Sequence, residues 1–133
     1  MTILIGYLPT AEGEAALAAG LEEARRRSED VLVLNSPRAG RSVDPAAASP
    51  DQVEKLLKRA AEAGVQASVR RPEHTDDLTD AFISVSEEVD ASLIVIGLRK
   101  RSNVGTFIMG SQAQRILLQV DRPVLAVKVA EGW

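Results

Sequence analysis

The strongest chemical signal in the sequence is a cluster of three cations that precedes the start of a predicted helix. Arg99, Lys100 and Arg101 are adjacent, and Gly110 comes directly before Ser111, where that helix begins. Free backbone N–H groups and the helix dipole at such a start attract a phosphate, and a glycine lets the phosphate approach the backbone closely. These residues predict a local phosphate site. A solvated charge run beside an ordinary helix cap is the alternative that the residue types leave open.

Catalytic chemistry has little support in the sequence. The chain has no cysteine, which excludes thiol catalysis and cysteine-ligated metal sites. The one histidine, His74, precedes a helix cap and is interpreted as a surface residue. Glu87, Glu88 and Asp90 are interpreted as solvated charges at a helix end rather than as metal ligands. We therefore predict no catalytic residue and no metal site, and we expect a binding protein rather than an enzyme.

Composition and charge limit the classes of partner. The chain has 133 residues, enough for one domain, which we assign to residues 1–133. Its 16 Lys and Arg against 19 Asp and Glu give a net charge of −3, and aromatic residues make up 3% of the chain. Both values argue against binding to nucleic acid. No apolar run reaches about 18 residues, so we expect no membrane segment, and the lack of cysteine suits a cytoplasmic protein.

The cationic segment lies in a chain that alternates short β-rich runs with amphipathic helical stretches. Strands are predicted at residues 3–6, 31–34, 65–69, 93–97 and 124–129, helices at about residues 12–27, 50–64, 75–89 and 111–122, and long loops at residues 35–48 and 98–109. This order predicts an α/β fold, a five-stranded parallel sheet with right-handed crossovers and helices on both faces. The first and fourth strands are the most apolar, and placing them side by side gives the order 3-2-1-4-5.

The predicted topology also indicates where a ligand would bind. In such sheets, ligands bind beyond the carboxyl ends of the strands at the point where the chain reverses direction. Here that point lies between the first and fourth strands, so the crevice would be formed by residues 7–10 and 97–109. The sequence contains neither a Walker A motif nor a GxGxxG motif after the first strand, so the classical nucleotide signatures do not apply.

Taken together, these segments resemble the universal stress protein family over nearly all 133 residues. The resemblance is carried by ILIG in the first strand, VLVLNS in the second, ASLIVIG in the fourth and RPVLAV in the fifth. The nucleotide-binding pattern of the family is glycine, two residues, glycine, nine residues, glycine, then serine or threonine. Gly97, Gly110 and Ser111 match three of its four positions, and Lys100 stands at the second glycine.

The resemblance implies a Rossmann-like fold of the adenine nucleotide alpha hydrolase type and a site for ATP, or for AMP or ADP, with or without Mg²⁺. In the ATP-binding members, the loop and the helix start hold the phosphates, and the ends of the first two strands flank the ribose and adenine. The residues assigned to the site in this way are Tyr7, Leu8, Pro9, Thr10, Ser36, Ile96, Gly97, Arg99, Lys100, Gly110, Ser111, Gln112 and Ala113. Ser36 would lie near the adenine.

Two parts of the sequence depart from the family pattern. Lys100 in place of glycine is either an obstacle to folding of the loop over a phosphate or a phosphate contact through its ammonium group. Leu8, Pro9 and Thr10 stand where an Asp-Gly-Ser is usual, which removes an acidic contact to the nucleotide. The leading hypothesis is therefore a stress-response module that binds an adenine nucleotide, with slow hydrolysis at most.

Assembly and the alternative functions follow from the same features. Residues 124–129 form an apolar strand at a predicted sheet edge, which favours a homodimer by two-fold antiparallel pairing. The family commonly forms dimers in this way. The first alternative is a dimeric stress protein that binds no nucleotide and acts through protein–protein interaction. The second is a phosphohydrolase or nucleotidyl-transfer enzyme, supported by the basic segment alone.

Overall fold

A six-stranded sheet with helices on both faces forms the framework of the protein. The computed structural model describes residues 1–7, 11–35, 50–70, 78–100, 107–108 and 111–128. The elements in chain order are β1 (Thr2–Tyr7), α1 (Ala11–Arg27), β2 (Asp30–Asn35), α2 (Pro50–Glu62), β3 (Ala67–Arg70), α3 (Leu78–Glu88), β4 (Ala91–Lys100), β5 (Phe107–Ile108), α4 (Ser111–Gln119) and β6 (Val124–Lys128).

The sheet confirms the predicted strand order. β3, β2, β1 and β4 are parallel neighbours, and β6, the predicted fifth strand, pairs in parallel with the other side of β4. The apolar runs of β1 and β2 are buried, as expected for central strands that are covered on both faces. β3 contains no fully buried residue, in agreement with its predicted position at the edge.

The prediction for the end of the fourth strand was wrong. β4 does not stop at Gly97 but continues to Lys100, and its last two residues pair antiparallel with the two-residue strand β5. Part of the segment that was predicted as a loop, residues 98–109, is therefore a β-hairpin. The pairing with β5 supplies backbone hydrogen bonds, and the buried Leu98 anchors the extension.

The two faces of the sheet carry separate cores. Alternate residues of β1, namely Ile3, Ile5 and Tyr7, face a cluster with α1 and α2. Leu4, between them, faces the opposite cluster, to which α3 contributes Phe82. None of the helices in the described ranges is long and apolar enough to cross a membrane.

Helices α1 and α4 each bury one face. In α1, Ala18 is exposed, whereas Ala16 and Leu17 are fully buried. In α4, Ile116 is buried and Leu117 is 41% exposed. Alanine is frequent all around α1, so the sequence periodicity did not define its buried face sharply.

Helix α1 lies very close to the sheet at Gly20. A Cβ atom at this position would be 2.2 Å from Cδ1 and 2.6 Å from Cγ1 of Ile5, a fully buried side chain. Only a hydrogen on the helix side therefore fits between the helix and β1. The glycine is explained by packing, since a left-handed backbone is not required inside a helix.

We expect Gly20→Ala to lower the free energy of unfolding by about 1–3 kcal/mol, because the new methyl group overpacks the core. The same substitution in an open helix position raises stability by about 1 kcal/mol. Ile5→Val removes the nearer of the two blocking atoms, so the double variant should be less destabilised than the sum of the single changes. Urea denaturation of the four proteins measures this coupling, and strictly additive costs would contradict the proposed contact.

Candidate functional site

The carboxyl ends of β1 and β4 form the edge at which a ligand site was predicted. The two strands are parallel neighbours, with Ile3 beside Leu93, Leu4 beside Ile94 and Ile5 beside Val95. The chain leaves β1 on the side of α1 and β2, while β4 continues toward α4 and β6. This reversal of direction is the arrangement at which α/β sheets bind ligands.

Several of the predicted site residues meet at this edge. Tyr7 is the last residue of β1 and is 6% exposed, Ile96 is buried in β4, and Gly97 is partly buried. Ser111, Gln112 and Ala113 are the first three residues of α4, which begins where the sequence predicted. Leu8, Pro9, Thr10, Ser36 and Gly110 lie outside the described residues.

The β4–β5 hairpin connects the cationic strand end with the start of α4. Arg99 pairs with Ile108 and Lys100 with Phe107, so both cations lie on a strand and not in a loop. Ile108 is three residues before Ser111, and three residues span at most about 11 Å of extended chain. The backbone at Arg99 therefore lies near the helix start, whose free N–H groups suit an anion.

Gly97 has a packing requirement of its own. A Cβ atom at this position would lie 2.0 Å from the carbonyl oxygen of Glu12, in the first turn of α1. Because that oxygen belongs to the helix backbone, a small side-chain adjustment would not relieve the clash. Gly97 was predicted to belong to a nucleotide site, and helix packing gives a reason for this glycine that does not depend on a ligand.

A hydrogen-bonded network of three side chains adjoins the same edge. The Tyr7 hydroxyl donates to Oε1 of Glu14 at 2.6 Å, and the Arg59 guanidinium donates to Oε2 of the same carboxylate and forms an ion pair with it. The network joins the end of β1 to the first turn of α1 and to α2. Glu14 and Arg59 were not predicted from the sequence, and Tyr7 was predicted only to contact the ligand.

The network fixes the protonation states of Tyr7 and Glu14. Burial, together with the hydrogen bond to Glu14 and the carboxylate charge, raises the pKa of Tyr7 well above its ordinary value of 10.0, so the hydroxyl stays protonated. Burial acts to raise the pKa of Glu14, but the hydrogen bonds from Tyr7 and Arg59 and the positive charge of Arg59 outweigh it and lower that pKa below 4.5. Neither group is suited to accept a proton at neutral pH.

Asn35 adds a further buried polar group at this edge. It is fully buried as the last residue of β2, and its register partner is Tyr7. Asn35 was predicted as the first residue of a loop, which is wrong, because the β1–β2 pairing extends one residue beyond the apolar run. Buried amide side chains usually lie in a polar environment. Asn35 therefore adds a polar side chain to the buried residues at this edge of the sheet.

The ionisation of Tyr7 and Glu14 limits the chemistry that this pair can do. Within the described ranges, no group of three His, Cys, Asp or Glu side chains could hold a metal ion. The Tyr7 hydroxyl donates a hydrogen bond to Glu14, and both carboxylate oxygens of Glu14 accept hydrogen bonds. The raised pKa of Tyr7 and the lowered pKa of Glu14 oppose transfer of the proton between them, so Tyr7 is not activated as a nucleophile.

Comparisons of the sequence and of the structure with known proteins agree with one another. Residues 1–128 match the sequence profile of the Universal stress protein family. A universal stress protein of Mycolicibacterium smegmatis is 38% identical over 126 residues, which are 95% of this chain and 96% of that protein. A universal stress protein structure from Archaeoglobus fulgidus aligns with a TM-score of 0.80 at 30% identity, covering 96% of this chain and 98% of that one. A universal stress protein from the same organism, solved in complex with dAMP, has a TM-score of 0.76 at 25% identity, with the same coverage of both chains.

The network should make stability depend on pH in a defined direction. Glu14→Gln removes the charge and leaves one acceptor oxygen, so we expect it to cost about 1–2 kcal/mol of unfolding free energy at neutral pH. A carboxyl whose pKa is lowered in the folded state stabilises the fold above its unfolded pKa, and that stabilisation disappears as the pH falls through the folded value. The difference between wild type and variant should therefore be constant well above pH 4.5, the ordinary pKa of the carboxyl, and shrink as the pH falls through and below that value.

Urea denaturation of both proteins between about pH 7 and about pH 3 measures this difference. Arg122→Lys serves as a control for a surface ion pair at the opposite end of the sheet, where Arg122 contacts Asp90 at 2.5 Å. A cost of Glu14→Gln that stays the same across the whole pH range would contradict the assigned ionisation.

Proposed function

This chain belongs to the universal stress protein family, and we propose that it binds an adenine nucleotide at the carboxyl ends of β1 and β4 as a stress-response binding module. The observation that carries the proposal is the β4–β5 pairing, which brings the Arg99 backbone near the start of α4. A cationic strand end beside free helix N–H groups is a combination suited to phosphate. The relative solved in complex with dAMP supports adenine as the base.

The proposed role of each residue follows from its position at a strand end or at the start of α4. Gly110 and the first turn of α4, with Ser111 and Gln112, would meet the phosphates, because free N–H groups are concentrated there. Ile96 and Gly97 would lie along the nucleoside, and Ser36 near the adenine. We propose ATP, with AMP and ADP as further candidates and with Mg²⁺ as an optional partner. We expect the protein to act in the cytoplasm, as its composition predicts.

Calorimetric titration of the purified protein with ATP, ADP and AMP, with and without Mg²⁺, tests the proposal. We also expect nucleotide to be released on denaturation and to be detected by absorbance and chromatography. Gly110→Val should weaken binding at least about tenfold, or 1.4 kcal/mol, because the side chain blocks approach to the backbone. An absence of both co-purified nucleotide and binding at millimolar ATP would overturn the proposal and favour the nucleotide-free alternative.

Lys100→Ala distinguishes the two roles considered for this lysine, a phosphate contact or an obstacle to binding. Weaker binding identifies the ammonium as a phosphate contact, and unchanged or tighter binding identifies it as an obstacle. Lys58→Ala is the matched control, since Lys58 is an exposed lysine on α2. Phosphate release above background with Mg²⁺ would favour the enzyme alternative over a binding module.

The second part of the proposal is a homodimer formed through β6. β6 pairs with β4, and in the described part of the sheet no strand lies on its other side. Its residues Val124, Leu125, Ala126 and Val127 are only partly buried in the single chain. An apolar edge of this kind is a template for pairing with another chain, and a two-fold antiparallel arrangement would cover it in both copies.

We expect wild-type protein to sediment as a dimer and Val127→Lys to sediment as a monomer, because the charge opposes burial of the edge. Thermal unfolding of the variant checks that it is folded. Lys128→Ala, at the exposed end of the same strand, is a control that should leave the dimer intact. A wild-type monomer at about 100 μM, a concentration at which interfaces of standard size are occupied, would contradict the dimer.

A further inference from the structure

The first turn of α1 contacts both strands that border the proposed nucleotide site. On one side, the carbonyl oxygen of Glu12 packs directly on Gly97 of β4, where a Cβ atom would lie 2.0 Å away. On the other side, Glu14 accepts the hydrogen bond from Tyr7, the last residue of β1, at 2.6 Å. A single helical turn thus joins the two strand ends from which the chain would reach a ligand.

Helix α2 fixes this turn from a third direction. Arg59 forms an ion pair with the same Glu14 carboxylate, and the Tyr7 ring packs in one cluster with Leu56 and Ala60 of α2. The carboxylate therefore has a partner on β1 and another on α2. Since both of its oxygens are engaged, Glu14 has little freedom to rotate, and the first turn of α1 is held in one position.

We propose that Tyr7, Glu14 and Arg59 are positioning residues for nucleotide binding, which hold the first turn of α1 against β1 and β4 and so fix the spacing of the two strand ends. This inference rests on the proposed function. When the turn is already ordered in the free protein, the free energy of nucleotide binding does not include the cost of ordering it. Loss of the network should therefore weaken nucleotide binding by the folded protein.

The matched variants separate positioning from a general effect on stability. Tyr7→Phe removes one hydroxyl and keeps the ring, and Glu14→Gln keeps the shape of the side chain. Glu22→Gln is the control, because Glu22 is also ion-paired, to Arg25 and Arg26, but toward the other end of α1. All proteins are titrated with ATP and AMP by calorimetry at neutral pH, well below their unfolding temperatures.

We expect Tyr7→Phe and Glu14→Gln to raise the Kd for both nucleotides about three- to thirtyfold, and Glu22→Gln to leave it unchanged. Arg59→Lys should retain more of the affinity than Arg59→Met. In the nucleotide-free protein, amide hydrogen exchange in the first turn of α1 should be faster in Tyr7→Phe than in wild type, and unchanged in Glu22→Gln.

Two different results would overturn the inference and are distinguishable from each other. If wild type binds nucleotide and the Tyr7 and Glu14 variants bind with the same Kd while their unfolding free energy falls, the network is structural and the proposed function stands. If wild type binds no nucleotide, the proposed function fails and the positioning role fails with it.

Discussion

Helix α1 lies so close to the sheet that two of its contacts leave no space for a further carbon atom. Gly20 packs on the buried Ile5 of β1, and Gly97 of β4 packs on the carbonyl oxygen of Glu12. Interiors are packed at crystal-like density, so such contacts determine the distance between layers. Because α1 packs mainly across β1 and β4, the two contacts set where the helix begins relative to both strand ends.

The polar side chains at the carboxyl edge depend on this close approach. Glu14 is in the first turn of α1 and reaches Tyr7 with a hydrogen bond of 2.6 Å, a short distance typical of a hydroxyl bound to a carboxylate. A helix that lay farther from the sheet would leave the hydroxyl of the buried Tyr7 residue without this acceptor. The small residues near the sheet and the polar network at its edge are therefore parts of one packing arrangement.

The sequence was sufficient to predict the sheet but not the polar edge. Continuous apolar runs such as residues 3–5 are tolerated only in strands covered on both faces, so they indicated the central strands and hence the strand order. The extension of β4 depends on pairing with β5, and a two-residue strand has no periodicity to detect. Glu14 and Arg59 are 45 residues apart, and no local spacing relates two charges that meet only after the helices pack.

Gly97 and Lys100, the two motif positions on β4, differ in what they require of the residue. At Gly97, the backbone of α1 occupies the place of a side chain, so glycine is required for packing whether or not a ligand binds. Lys100 lies on strand backbone, paired with Phe107, and positive φ outside glycine is confined, among the described residues, to Ser28 and Asp90. A lysine therefore costs the fold little at that position. The departure from the family pattern at Lys100 therefore leaves the path of the strand unchanged.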